Sequence, residues 1–190
     1  MKIKDKAIDE YTMEMGRAHF YIFLMIIPVL LISLLPFILI WGNQAAKSGW
    51  EPFYNHFIPV ILTGIFFHEL LHGIGWSFFV PKGMKSIKFG INWKFLAPYC
   101  HCKVPLKVRH YKIGGAMPLL ILGIFPVIFA LLFGNAAVLF FGILFIWGAG
   151  GDIIVLFMLQ KLDNDSYIYD HPDKMGFYRK TLNPEETGRE

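Results

Sequence analysis

The chain carries His68-Glu69-Leu70-Leu71-His72, two histidines four residues apart with a glutamate directly after the first. On a helix, residues i and i+4 share one face, so both imidazoles can reach a single metal ion. Glu69 lies at the edge of that face, placed to take a proton from a metal-bound water. The pattern is short and arises by chance in soluble helices. Here it sits in the middle of Phe57 to Val80, a segment apolar and long enough to cross a bilayer. Ionisable groups at that depth cost about 2.5–3.5 kcal/mol each on insertion scales, so they default to a functional reading.

A third group falls at matching depth. Asp152 follows Gly148-Ala149-Gly150-Gly151 inside an apolar run from Ala136 to Leu159. Two histidines and one carboxylate, with a fourth position left for water, make the donor set of a catalytic zinc. The glycines before Asp152 are expected to bring its helix close to the His-bearing one. Asp152 has a plainer alternative as a packing or cation-binding carboxylate. Competing third ligands are Cys100, His101, Cys102, Asp163, Asp165 and Asp170, all in loops and so less firmly held than a residue on a packed helix. Cys100-His101-Cys102 has metal-binding residue types without metal-binding spacing, so hairpin packing, a second site and an approach to the first all stay open. A one-residue gap is also poor for a disulfide. Asn92 either polarises a scissile carbonyl or serves a turn. His19, His56, His110 and His171 are expected to be interfacial or solvated.

The elements that must hold these groups are apolar spans. Hydrophobic residues make up 55% of the chain and charged residues 17%, with mean hydropathy +0.49. That is well short of the charge a soluble domain carries and indicates an integral membrane protein. The four predicted spans are Phe20–Trp41, Phe57–Val80, Ile113–Phe133 and Ala136–Leu159. Pro28 and Pro36 are expected to kink the first, and Gly42 to His56 reads as a short loop. No small-x-small cleavage site follows the first run, so it is expected to remain as a span. Between the second and third spans, Ser86 to Phe95 alternates polar and apolar side chains, and Ala97 to Pro105 reads as its returning strand, which predicts a β-hairpin. The expected fold is all-α and integral to the membrane, with four transmembrane helices and a small β-hairpin. It forms a single membrane domain over residues 1–190, with 1–19 and 161–190 as polar end segments.

The net charge of +4 is laid out by topology, which makes a nucleic-acid partner unnecessary. Of the 18 lysines and arginines, all but Lys47 fall in the N-terminal segment, the hairpin loop and the tail. The excess of positive charge places both termini and the hairpin in the cytoplasm of a multi-pass cell-membrane protein.

Phe67-His68-Glu69-Leu70-Leu71-His72-Gly73, Tyr99-Cys100-His101-Cys102-Lys103, Gly150-Gly151-Asp152 and Asp170-His171-Pro172 together resemble the DUF3267 group of bacterial zincin peptidases, over about residues 57 to 173. The order of a His-bearing span, a strand-rich loop, an apolar span and a span with Gly-Gly-Asp also resembles the core of site-2 proteases. That resemblance implies His68, His72 and Asp152 as zinc ligands and Glu69 as catalytic base. The Gly-Ala-Gly-Gly-Asp-Ile-Ile context departs from the Asn-Pro-x-Pro and Leu-Asp-Gly signature usual around the aspartate of site-2 proteases. The function expected is zinc-dependent hydrolysis of a peptide bond in a membrane protein or peptide substrate, within or beside the lipid bilayer. The competing expectations are a membrane metal-binding or transport protein without hydrolysis, and a non-enzymatic scaffold.

Overall fold

The computed structural model of the protein describes residues 8–93, 97–171 and 174–180. The end of the predicted strand beyond Trp93, Pro172 of the Asp-His-Pro stretch, the terminal segments and the Asn92 side chain lie outside the described residues. In chain order the elements are β1 (Ile8–Met13), α1 (Met15–Asn55), α2 (Phe57–Ser77), β2 (Ile87–Asn92), β3 (Ala97–Cys102) and β4 (Leu106–Lys107). Then follow α3 (Val108–Pro118), a π-turn (Leu119–Ile124), α4 (Phe125–Phe133), α5 (Ala136–Gly148), α6 (Gly150–Leu159), β5 (Tyr167–Asp170) and β6 (Met175–Lys180).

Three helical stretches, Met15–Asn55, Phe57–Ser77 and Val108–Phe133, are long and apolar enough to cross a membrane, and a fourth arises if the bent pair α5 and α6 counts as one span. Their outer surfaces are apolar too. Phe23, Leu39, Ile58, Leu62, Phe66, Leu132 and Phe157 are each more than half exposed, a surface that suits lipid and not water.

Two of the spans depart from the simple rods expected. The backbone of α1 stays helical through Pro28 and Pro36 and breaks instead at Gly42, whose φ of 83° is open to glycine. The predicted loop after Trp41 is therefore helical, and it packs through Gly49 against Ala136 at the start of α5. The fourth span is broken as well. Its halves meet at Ala149 at an angle of 51°. Spans of this discontinuous kind place helix ends inside the membrane, where they can face a polar site.

The β structure goes beyond a hairpin. β2 and β3 pair antiparallel, Ile87 opposite Cys102 and Phe89 opposite Cys100, as the alternation predicts. A separate four-stranded sheet has the order β1-β6-β5-β4. It adds a second sheet to the expected helical spans and hairpin, and three of its four strands come from the polar end segments before Phe20 and after Gln160. Tyr11 stacks on Phe177 across β1 and β6, with ring centroids 5.4 Å apart. Phe177 and Ile168 are fully buried with Val108 and Leu159, which fastens the sheet to α3 and α6. His171, expected to be interfacial or solvated, is 7% exposed, and its Nε2 lies 2.9 Å from the Tyr178 hydroxyl. The sheet gathers three segments at one end of the bundle: the one before α1, the one before α3 and the one after α6. An even number of crossings between these segments satisfies that arrangement.

Candidate metal centre

α2 places His68 and His72 one turn apart, with ring centroids 4.9 Å apart. The break before α6 places Asp152 in that helix's first turn, where the positive end of the helix dipole favours a carboxylate. Asp152 Oδ2 lies 3.0 Å from His68 Nε2, and Asp152 Oδ1 lies 3.3 Å from His72 Nε2. One ligand atom from each residue falls within 4.8 Å of the other two, and no other group of three such residues does so among the described residues.

The donor pattern fits a cation. His72 Nδ1 sits 3.0 Å from the Gly114 carbonyl, which can only accept, so Nδ1 is the donor; with the ring neutral, as metal binding requires, the lone pair of Nε2 would face Asp152. Asp152 Oδ2 is buried without a hydrogen bond, although His68 Nε2 is close. With His72 neutral, its Nε2 and Asp152 Oδ1 are two acceptors facing each other at 3.3 Å, an arrangement that a cation between them would satisfy. Atoms about 2.0–2.2 Å from a tetrahedral zinc stand roughly 3.3–3.5 Å from one another, near the 3.0 and 3.3 Å that separate Asp152 from the two histidines.

Packing beneath the histidines is set by glycine. Gly75 and Gly114 bring α2 and α3 into near backbone contact, and a Cβ on Gly75 would lie 2.6 Å from the Gly114 Cα. Trp76 fills the space beside Gly114, stacks on His72 at 5.2 Å and 13°, and donates from Nε1 to the Tyr111 carbonyl at 3.1 Å. The glycines before Asp152 do something other than expected. Gly150 faces Ile22 of α1 and Gly151 faces Met175, so they seat α6 against α1 and the sheet and leave close approach to α2 to other residues. Gly114→Ala should push its methyl into the Trp76 ring, cost about 1–3 kcal/mol, and loosen the ring that backs His72. Thermal unfolding in detergent, with metal content measured alongside, checks this.

Glu69 is partly buried on α2, within electrostatic reach of His72, His68, Asp152 and His101. The competing ligands are engaged elsewhere. His101 Nδ1 pairs with Asp170 Oδ2 at 3.0 Å, and that bond holds the imidazole above its ordinary pKa. Asp165 pairs with Lys107 and Arg109, and Asp163 accepts from the Asp165 amide. Cys100 and Cys102 are buried free thiols in the core between α2 and the hairpin. Burial pushes both thiols up, Cys100 further through the charges of Glu69 and Asp170, and neither belongs to the converging group of three.

Sequence reasoning missed Trp76, Tyr111 and Gly114 as parts of the site. Trp76 carries one signal, its place four residues after His72 on the same helix face. Nothing local marks the other two, because their roles depend on contact between α2 and α3.

The family described as "Putative zincin peptidase", DUF3267, matches residues 61–167, a stretch that holds His68, Glu69, His72 and Asp152. No curated protein and no solved structure matches the chain.

Proposed function

The chain belongs to the DUF3267 family of zincin peptidases, and from that premise we propose that it is a zinc-dependent intramembrane endopeptidase acting on membrane-associated protein substrates. The observation that carries this reading is the convergence of His68, His72 and Asp152 on one point beside Glu69, inside helices apolar enough to span a bilayer. His68, His72 and Asp152 would hold the ion. Zinc bound there supplies a Lewis acid that makes water acidic near neutral pH. Glu69 accepts the proton of the attacking water and returns it to the leaving amine, so one carboxylate serves as base and then acid. The Gly114 carbonyl holds His72 in the tautomer that presents Nε2, and Trp76 stacks against the ring to fix its orientation.

The outer edge of β2 has no strand partner among the described residues. An unwound substrate segment adds there as a further strand, which exposes its backbone to the site. Both termini and the four-stranded sheet face the cytoplasm. All lysines and arginines but Lys47 belong to the segments that meet at that end, which supports this orientation.

Elemental analysis of detergent-purified protein should find about one zinc per chain. A transmembrane reporter peptide should be cleaved, with activity lost to chelation and restored by zinc. Well-folded protein that takes up no metal when zinc is supplied would leave a scaffold as the better reading. Bound zinc without cleavage of any reporter would favour a metal-binding or transport role.

A further inference from the structure

Asp170 is 10% exposed in its side chain and stands at the end of β5, in the sheet that the family match does not reach beyond residue 167. Three donors from two other parts of the molecule converge on it. The Tyr111 hydroxyl of α3 donates to Oδ1 at 2.7 Å. His101 Nδ1 and the Cys102 backbone amide, both on β3, donate to Oδ2 at 3.0 and 3.1 Å. A partly buried carboxylate with three donors is a strong and directional tie, since charge-assisted bonds are about twice as strong as neutral ones.

The place of this tie gives it a role. β3 runs beside α2: the Cys100 thiol, one residue before His101, feels the charge of Glu69, and Gly73 next to His72 is covered by Phe89 and Ile87 of β2. Tyr111 in turn backs Trp76, with rings 4.9 Å apart, and Trp76 backs His72. Among the described residues the β2–β3 pair has no other strand to hold it, and two-stranded sheets are marginal alone. Its position over the His68–His72 face therefore depends on contacts from outside the pair.

We propose that Asp170 is a positioning residue: it latches the hairpin and α3 to the C-terminal sheet and so sets where β3 stands beside Glu69. The positioning of a reaction rests on the peptidase reading above; the latch itself does not. Asp170 touches neither the proposed ligands nor Glu69, and acts through His101, Cys102 and Tyr111.

Hydrogen–deuterium exchange of the purified full chain tests the latch directly, because the Cys102 amide is one of its donors. In Asp170→Asn, exchange across 97–102 should rise about tenfold or more, as expected for local opening when charge-assisted bonds are lost, while zinc content stays at the wild-type level. Tyr111→Phe removes one donor and should give a smaller rise. It serves also if Asp170→Asn fails to fold. His101→Asn keeps a donor near the Nδ1 position and should restore protection that His101→Ala loses, a split that simple packing of the ring would not produce. Asp165→Asn, on the neighbouring exposed loop, should leave exchange over 97–102 unchanged. On any reporter the wild type cleaves, Asp170→Asn should raise KM about tenfold and change kcat much less. Unchanged exchange in Asp170→Asn and Tyr111→Phe overturns the latch. Raised exchange with no cleavage of any reporter by the wild type upholds the latch and counts against the peptidase reading alone.

Discussion

Glu69→Gln should lower turnover by about 10²–10⁴, the usual contribution of a positioned general base, and leave zinc content unchanged. Glutamine keeps the size and shape of the side chain and loses only its ability to accept a proton. The side chain is partly buried beside the three proposed ligands and is not one of the three converging atoms, so the substitution removes proton transfer while the His68, His72 and Asp152 atoms keep their places. Single-turnover cleavage of a transmembrane reporter, paired with elemental analysis of the same sample, separates the two quantities. A variant that cleaves at the wild-type rate would move the base elsewhere. If the protein instead moves or stores metal, Glu69→Gln keeps that function intact.

Asp152→Ala should reduce bound zinc from about one per chain to near zero, as should His68→Ala. The carboxylate supplies the anionic donor of the set, and without it two imidazoles alone would have to hold the ion against water. Folding should survive better than metal binding. Asp152 Oδ2 has no hydrogen bond to lose, whereas Asp170 satisfies three donors. The contrast between the two aspartates is therefore sharp: Asp152→Ala loses metal and keeps the hairpin protected, while Asp170→Asn does the reverse. Metal that stays in Asp152→Ala but leaves in His68→Ala would shift the third ligand to another residue, with Cys100-His101-Cys102 next in line.

The contrast also shows how the two acidic residues differ in legibility. Asp152 stands out in a run with no other charge, because a carboxylate amid apolar residues is costly wherever the span is buried in lipid or protein. Asp170 sits among polar neighbours, where an acid costs nothing until folding buries it. Its partners lie 59 to 69 residues away, and no periodicity along the chain joins them. The terminal strands were hidden for a similar reason. β1 is six residues long and its partner β6 lies across almost the whole chain, Ile8 opposite Lys180, so β1 has no partner nearby to announce it; β6 does pair with the adjacent β5, but that strand is only four residues long. The β2–β3 hairpin, with four residues between its strands, is readable from alternation alone.

The sequence by itself determined the apolar spans, the hairpin, the face shared by His68 and His72, and Asp152 as their partner in depth. Each follows from local rules: hydropathy over about 20 residues, a period of two along a strand, and a spacing of four along a helix. Only the tertiary structure decided how those parts meet. It put the break in α1 at Gly42 instead of at the prolines, because a proline ring can be carried by a helix in an apolar span while a φ of 83° cannot. It brought α2 and α3 together at Gly75 and Gly114, and it tied His101 to Asp170 and away from the three converging residues. These outcomes depend on which surfaces touch, and side-chain contact between distant segments leaves no period in the chain to read.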